Sequence, residues 1–313
     1  MPTPPRVAIL LSTYNGARFL TAQLDSLLAQ TVADWMLYWR DDGSTDGTVA
    51  LMEAFAARER RCVFVGEASG HLGVNGSFIA LLRRAMADRA AAVAFADQDD
   101  VWLPEKLARG LAGLGDDPVP CLYCSRQVLV DEALNRLSDS APLRREPGFA
   151  AALTQNIATG CTVLLNQAAV SLVASSTPPA ATLHDWWSYL VVTAAGGRVV
   201  VDPVPAVLYR QHGRNLVGAP ATMRRRAVAA MSRGPEVFLN VLRGHVGALR
   251  SQPALLSPES RAVLDLVDAG LRGGVRERLR ALRLHGLHRQ TWQETLLFRW
   301  WFLIAAPRSS RTP

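Results

Sequence analysis

Lysine is almost missing from this chain. Lys106 is the only one in 313 residues, and arginine supplies the rest of the positive side-chain charge. A glycine-rich loop ending in lysine is therefore excluded as the phosphate cradle, and no G-x-G-x-x-G run offers the dinucleotide alternative. Long apolar runs are lacking too. No stretch reaches the ~18 residues of a spanning helix; the nearest, LLFRWWFLIAA at 296–306, is short and contains Arg299. Cysteine is sparse. Cys121 and Cys124 form a C-x-x-C with no second pair to complete a zinc set, and CLYCS alternates like a strand, so both are expected in a core. The opening MPTPPRVAILLS has no basic segment before its apolar run, which points to reduced thiols in a cytoplasmic setting.

The formal charge of +7 is unevenly spread. Residues 221–313 hold sixteen Arg and six acids, a net +10, which leaves −3 for residues 1–220. A basic tail on a mildly acidic body suggests an anionic partner, a membrane surface rather than nucleic acid. Within that tail, VRERLRALRLHGLHRQ puts Val275, Leu279 and Leu282 on one helical face and Arg276, Arg280 and Arg283 on another, next to Phe298, Trp300, Trp301 and Phe302. That is the pattern of a helix lying in a membrane interface. The rival account packs those apolar residues on the rest of the chain.

What the sequence does contain is a regular alternation. Apolar runs at 7–12, 36–39, 62–65 and 91–96 read as strands, each followed by a segment with helical spacing. Ser44 or Asp46 is the expected cap of the second helix, and Pro104 lies at the start of the fourth. Four such alternations argue for a doubly wound α/β domain with a mostly parallel sheet. Further strands are expected over 120–131, 161–166 and 198–201, and a helix over 185–197. Past residue 215 the alternation stops; a boundary is expected near 218, followed by a mainly helical C-terminal extension (219–313) broken at Gly234, Pro253, Pro258 and Gly270–Gly274.

The polar clusters STYNG, RDDGSTDG and DQDD all fall at strand C-terminal ends, where such sheets bind ligands. The last crowds Asp97, Asp99 and Asp100 into four positions. Adjacent carboxylates repel unless a cation or hydrogen-bond donors face them, and hard oxygen ligands at a strand end suit Mg²⁺ or Mn²⁺. A solvated loop with Asp100 capping the next helix is the plainer alternative.

LLSTYNGARFL, RDDGSTDGT and ADQDD, in this order and spacing, resemble the family 2 glycosyltransferases of GT-A fold, over roughly residues 5–215. GCTVLLN, HDWW and YRQHGRN further on are similar to a rhamnosyltransferase-like subgroup. The resemblance implies roles at matching positions. Thr13, Tyr14 and Asn15 match the nucleotide-holding loop. Asp41 and Asp42 match an acidic pair of which one reads a pyrimidine base. Asp97 is expected near the ribose and Asp99 on a Mg²⁺ or Mn²⁺ bridging the diphosphate, with His212 completing the metal shell and Asp100 behind them. Asp185 in HDWW matches the catalytic base. His184, Trp186, Trp187 and Arg210 are expected substrate contacts, as are Tyr209 and Asn215; His71 is expected to be a solvated loop histidine, with a place over the donor as its alternative.

The implied activity is inverting transfer of a sugar, rhamnose by the subgroup likeness, from a dTDP- or UDP-linked donor to a glycan or lipid-linked saccharide at the inner face of a membrane. Two rivals remain. A nucleotidyltransferase would release pyrophosphate rather than a nucleoside diphosphate, and it normally carries a lysine-bearing phosphate loop. A non-catalytic nucleotide-sugar or membrane-binding module would release neither.

Overall fold

Apolar runs without polar alternation make strands buried on both faces. Val7, Ala8, Ile9, Leu10 and Leu11 are fully buried and form most of strand β1 (Val7–Thr13). The computed structural model describes residues 6–66, 70–213 and 223–304. After β1 come α1 (Ala17–Leu28), β2 (Trp35–Asp41), α2 (Thr48–Arg58), β3 (Cys62–Phe64), α3 (Gly73–Ala87) and β4 (Ala92–Asp97). These strands are parallel, in the order β3-β2-β1-β4. The chain leaves β1 toward β2 on one side and pairs with β4 on the other, so the ligand crevice opens beyond their C-terminal ends. Register sets Thr13 beside Asp41 and Ser12 beside Asp97.

The sheet continues through β5 (Val101–Trp102), α4 (Lys106–Leu114), β6 (Cys121–Val130), β7 (Arg136–Asp139), α5 (Phe149–Ala152), β8 (Leu164–Asn166), α6 (Gln167–Ser175), α7 (His184–Ala194) and β9 (Arg198–Arg210). Beyond β4 the order is β8-β6-β9-β5, with β7 on β6. β8 runs antiparallel to β4 and β6, while the long β6–β9 pairing is parallel. The strand expected over 198–201 runs on to Arg210, past Pro203 and Pro205. Register shifts opposite Ser125–Gln127 absorb those prolines. The extension matters for the site: β9 pairs with β5 and so brings Arg210 and His212 back to the DQDD loop.

Helices α8 (Met223–Arg250), α9 (Pro258–Arg272), α10 (Val275–Leu282) and α11 (Trp292–Ile304) follow. Gly234 kinks α8 with φ 74°, and Pro258 opens α9 behind a Ser257 cap, as the sequence suggests. Gly270 does not break a helix. It sits inside α9, where a Cβ would stand 2.9 Å from Phe302 Cζ, so it admits the close approach of α11. Leu239, Leu242, Val267, Phe298 and Phe302 share one core cluster with Phe78, Phe95, Trp187 and Leu190. The expected boundary near 218 lies outside the described residues.

The apolar face expected for α10 is split, since Leu282 turns inward. Val275 and Leu279 face outward, while Arg278 is buried and donates from Nη1 to Leu303 O at 2.7 Å. The helix packs through Arg278, Ala281 and Leu282; the arginine's aliphatic stem fills the contact and its head satisfies a carbonyl near the end of α11. All four thiols are free, with Cys121, Cys124 and Cys161 buried. Among the described residues no helix is long and apolar enough to cross a membrane.

Candidate active site

The loops after β1 and β2 hold each other. Thr13 Oγ1 donates to Asp41 Oδ1 at 2.9 Å. Asp41 also accepts from Ser44 Oγ at 2.6 Å, Ser44 N at 2.7 Å and Gly43 N at 3.0 Å. Asn15 has φ 48°, a left-handed geometry that asparagine tolerates. Its N–H donates to Ser44 Oγ at 2.8 Å and its Oδ1 accepts Thr45 N–H at 2.8 Å. Asp46 accepts the N–H groups of Thr48 and Ala17 and so serves the starts of both α2 and α1.

Asp42 turns inward. Its carboxylate accepts from Leu72 N at 2.6 Å, Gly73 N at 2.9 Å and Ser77 Oγ at 3.2 Å, with the Arg40 guanidinium 3.6 Å away. It thereby satisfies orphan donors at the start of α3, which is why that helix begins at Gly73, ahead of its apolar run. Of the residues matched to donor binding on this side, Tyr14 faces outward, 50% exposed. The His71 ring meets it edge-on at 5.4 Å between centroids, and His71 Nδ1 lies 2.9 Å from Asp42.

Gln98, which sequence reading passed over, clamps this loop to the next. Its Oε1 accepts Tyr14 N–H and its Nε2 donates to Tyr14 O, both at 2.9 Å. A Cβ on Gly16 would fall 2.1 Å from Gln98 Oε1, so only glycine admits the clamp. The available signal was position alone: a polar residue between two acids.

Asp97 ends β4. Burial, then repulsion from Asp99 and Asp185, pushes its carboxyl up to about 7, with Lys106 pulling the other way. Both Asp99 and Asp185 act on Asp97, although 86 residues separate Asp99 from Asp185 in the chain. Asp99 Oδ2 lies 2.8 Å from His212 Nε2. Asp100 is fully buried and does not cap α4. Its Oδ1 accepts Arg210 N–H at 3.0 Å, and the Cys161 sulfur lies within 4.8 Å of one of its oxygens. Burial and its acidic neighbours hold Asp100 well above the usual carboxylate range.

Arg210 departs from expectation. Its guanidinium is buried, donates to Asp99 O at 2.8 Å and to Glu132 O, and stacks 4.5 Å over the Phe19 ring. These bonds brace the DQDD loop. Tyr209 packs against the core, and Asn215 lies outside the described residues.

Lys106, the sole lysine, is the second residue that sequence reading left without a role. It is fully buried, with Nζ 3.5 Å over the Trp102 ring and no hydrogen-bond partner. Burial draws its pKa down to about 7, against Cys161, Asp100 and Asp97. One buried cation thus underlies the acidic cluster.

Asp185 occupies the first turn of α7 and is buried. Its Oδ2 accepts Gly160 N–H at 3.0 Å and Oδ1 accepts Trp186 N–H. Burial outweighs these bonds and raises the carboxyl to about 6. His184 packs into the core. Its ring stacks on Phe78 at 3.8 Å and meets Phe95 edge-on at 4.7 Å, and burial lowers its pKa to about 3, which keeps it neutral. Trp187 is core, with Nε1 donating to Ser176 Oγ at 2.7 Å. Trp186 is half-buried, donates to Ala152 O at 2.8 Å and meets the His245 ring of α8 edge-on.

Two sets of side chains here offer donor atoms of the kind that bind a cation. One oxygen each of Asp97 and Asp100 and the Cys161 sulfur lie within 4.8 Å of one another. Burial keeps that thiol protonated, and Lys106 already supplies positive charge beside it. Asp97 and Asp99 offer the carboxylate oxygens that Mg²⁺ and Mn²⁺ take, the His212 imidazole nitrogen pairs with Asp99 at 2.8 Å, and a cation would relieve the repulsion between the two carboxylates. Among the described residues only the first set brings three ligand atoms within 4.8 Å of one another; the second has the harder oxygen donors but only the Asp99–His212 contact is this close.

Comparison with known proteins agrees with this architecture. The sequence profile described as Glycosyl transferase family 2 matches residues 8–170, over half the chain. The dTDP-rhamnosyl transferase RfbG of Shigella flexneri is 24% identical over 216 residues, covering 67% of this chain and 74% of its own. Among solved structures, Staphylococcus aureus TarS (residues 1–349, with UDP-GlcNAc) superposes with a TM-score of 0.56 at 16% identity, over 88% of this chain and 86% of that one. The mannosyltransferase PcManGT of Pyrobaculum calidifontis, with GDP-Man and Mn²⁺, gives 0.52 at 16% identity, over 97% and 86%. These likenesses show a GT-A fold.

Proposed function

This chain belongs to glycosyl transferase family 2, and from that premise we propose an inverting sugar transfer from a nucleoside diphosphate donor to a glycan hydroxyl in cell-surface polysaccharide synthesis. The observation that carries the reading is Asp185, a buried carboxyl raised to about 6 and close enough to Asp97 to perturb it. A base held near the working pH beside the donor's phosphate site is what glycosyl transfer requires.

Asp185 takes the proton of the acceptor hydroxyl. The freed oxygen attacks the anomeric carbon from the face opposite the diphosphate, the bond to the phosphate oxygen breaks, and configuration inverts. Asp97, Asp99 and His212 would hold Mg²⁺ or Mn²⁺, which when bound offsets charge on the departing diphosphate. Tyr14 and His71 flank the exposed side of the nucleotide loop and take the base; Asp41, Asp42, Thr13 and Asn15 keep that loop in shape. Trp186 offers a flat face toward the acceptor. The RfbG likeness favours dTDP-rhamnose as donor, and the basic C-terminal helices favour a lipid-linked acceptor at the cytoplasmic membrane face.

The test is product analysis with dTDP-rhamnose, UDP-sugars and GDP-sugars in Mg²⁺ or Mn²⁺. Release of the nucleoside diphosphate is expected with one of them. Pyrophosphate would mark a nucleotidyltransferase, and binding with no release from any donor would sink the catalytic reading.

A further inference from the structure

We infer that the outer faces of α10 and α11 dock on an anionic lipid bilayer; the inference extends the lipid-linked acceptor reading and rests on it. Trp292, Leu296, Trp300 and Ile304 recur every four residues along α11 and are 63%, 56%, 58% and 52% exposed. The opposite face already has its partners, since Thr295, Phe298, Trp301 and Phe302 are buried. A water-facing helix surface is normally polar. Here the other exposed residues are only Gln293 and Arg299, and the helix's one acid, Glu294, is half-buried.

α10 adds to the same pattern. Val275 and Leu279 are exposed, and so are Arg276, Arg280 and Arg283. None of these three, nor Arg299, is ion-paired within the described residues. Three other arginines of the C-terminal helices are paired with acids: Arg243 with Glu236, Arg250 with Asp265, Arg272 with Asp268. The bond from Arg278 to Leu303 O fixes α10 against the end of α11, so the uncompensated cations and the apolar row lie on adjoining helices.

That combination selects the occupant. Tryptophan has an apolar body and one N–H donor and settles at the bilayer–water boundary, while guanidinium matches lipid phosphate. The apolar row is too shallow to span a bilayer and suits a helix lying in its surface.

Flotation of the full chain with vesicles tests this. The wild type is expected to float with phosphatidylcholine mixed with phosphatidylglycerol, and far less with phosphatidylcholine alone. Trp292→Ser with Trp300→Ser should cut partitioning roughly tenfold or more. Arg276→Gln, Arg280→Gln and Arg283→Gln together should cut it on anionic vesicles by about fivefold per guanidinium. Both variants should melt like the wild type and release nucleoside diphosphate as fast with a soluble acceptor analogue. Wild type that stays with the pellet at low ionic strength overturns the proposal, as do variants that float equally well or a stripe that instead joins two copies. Flotation without turnover on any donor would keep this surface and remove the transferase reading; turnover without flotation would do the reverse.

Discussion

His212 Nε2 stands 2.8 Å from Asp99 Oδ2, and this contact joins the end of β9 to the loop after β4 across 113 residues of sequence. Both donor atoms therefore belong to one site although neither motif predicts the other. Asp99→Ala should abolish Mn²⁺-dependent donor binding, measured by calorimetry with and without the ion. His212→Ala should weaken Mn²⁺ by about 10–100-fold. Cys161→Ser should leave Mn²⁺ affinity near that of the wild type; a large loss there would move the ion to the Asp97–Asp100–Cys161 group.

The pH dependence of turnover should carry the signature of Asp185. As a base it works ionised, and its carboxyl, raised to about 6, is protonated below that value. With saturating metal, kcat/KM should therefore rise with pH through about 6 and level off above it. Asp185→Asn should remove that limb and lower turnover ~10²-fold or more, with donor affinity unchanged. A variant that turns over normally means the base lies elsewhere.

Gly160 is a packing requirement next to that base. An added Cβ would stand 2.9 Å from His184 Nε2, and His184 is wedged between Phe78 and Phe95. Gly160→Ala should destabilise the fold by about 1–3 kcal/mol and lower kcat, because the Gly160 N–H also holds Asp185. An unshifted thermal midpoint would show that the ring moves aside freely.

Lys106 should leave a mark on stability above neutral pH. Its pKa is about 7 in the fold against 10.5 for the ordinary group, so between those values the unfolded chain binds the extra proton. Folding must release it, and that cost shrinks as pH rises. Relative to Lys106→Met, the wild type should gain stability from pH 7 toward 10, read from urea midpoints. A constant difference across that range would mean the ammonium stays charged inside.

The parallel half of the sheet was legible because strands buried on both faces read as unbroken apolar runs, as in Val7–Leu11. The site acids were legible because carboxylates at strand ends stand out. What escaped depends on distant partners. Asp42 looks like a ligand but caps α3 from 30 residues away. Gln98 and Arg210 brace loops through backbone atoms, which leaves no periodic trace. The inward Arg278 was not legible, because an arginine stem packs as well as a leucine when its head finds a carbonyl. β9 runs through two prolines that, on sequence alone, end a strand.

The burial of Lys106 has a practical corollary. A protease that cleaves only after lysine finds no accessible site on the folded surface, and its one target bond opens only when the start of α4 leaves Trp102. Appearance of two fragments would then time the breathing of the floor beneath the acidic cluster, and a bound donor that quiets this breathing would slow the cut.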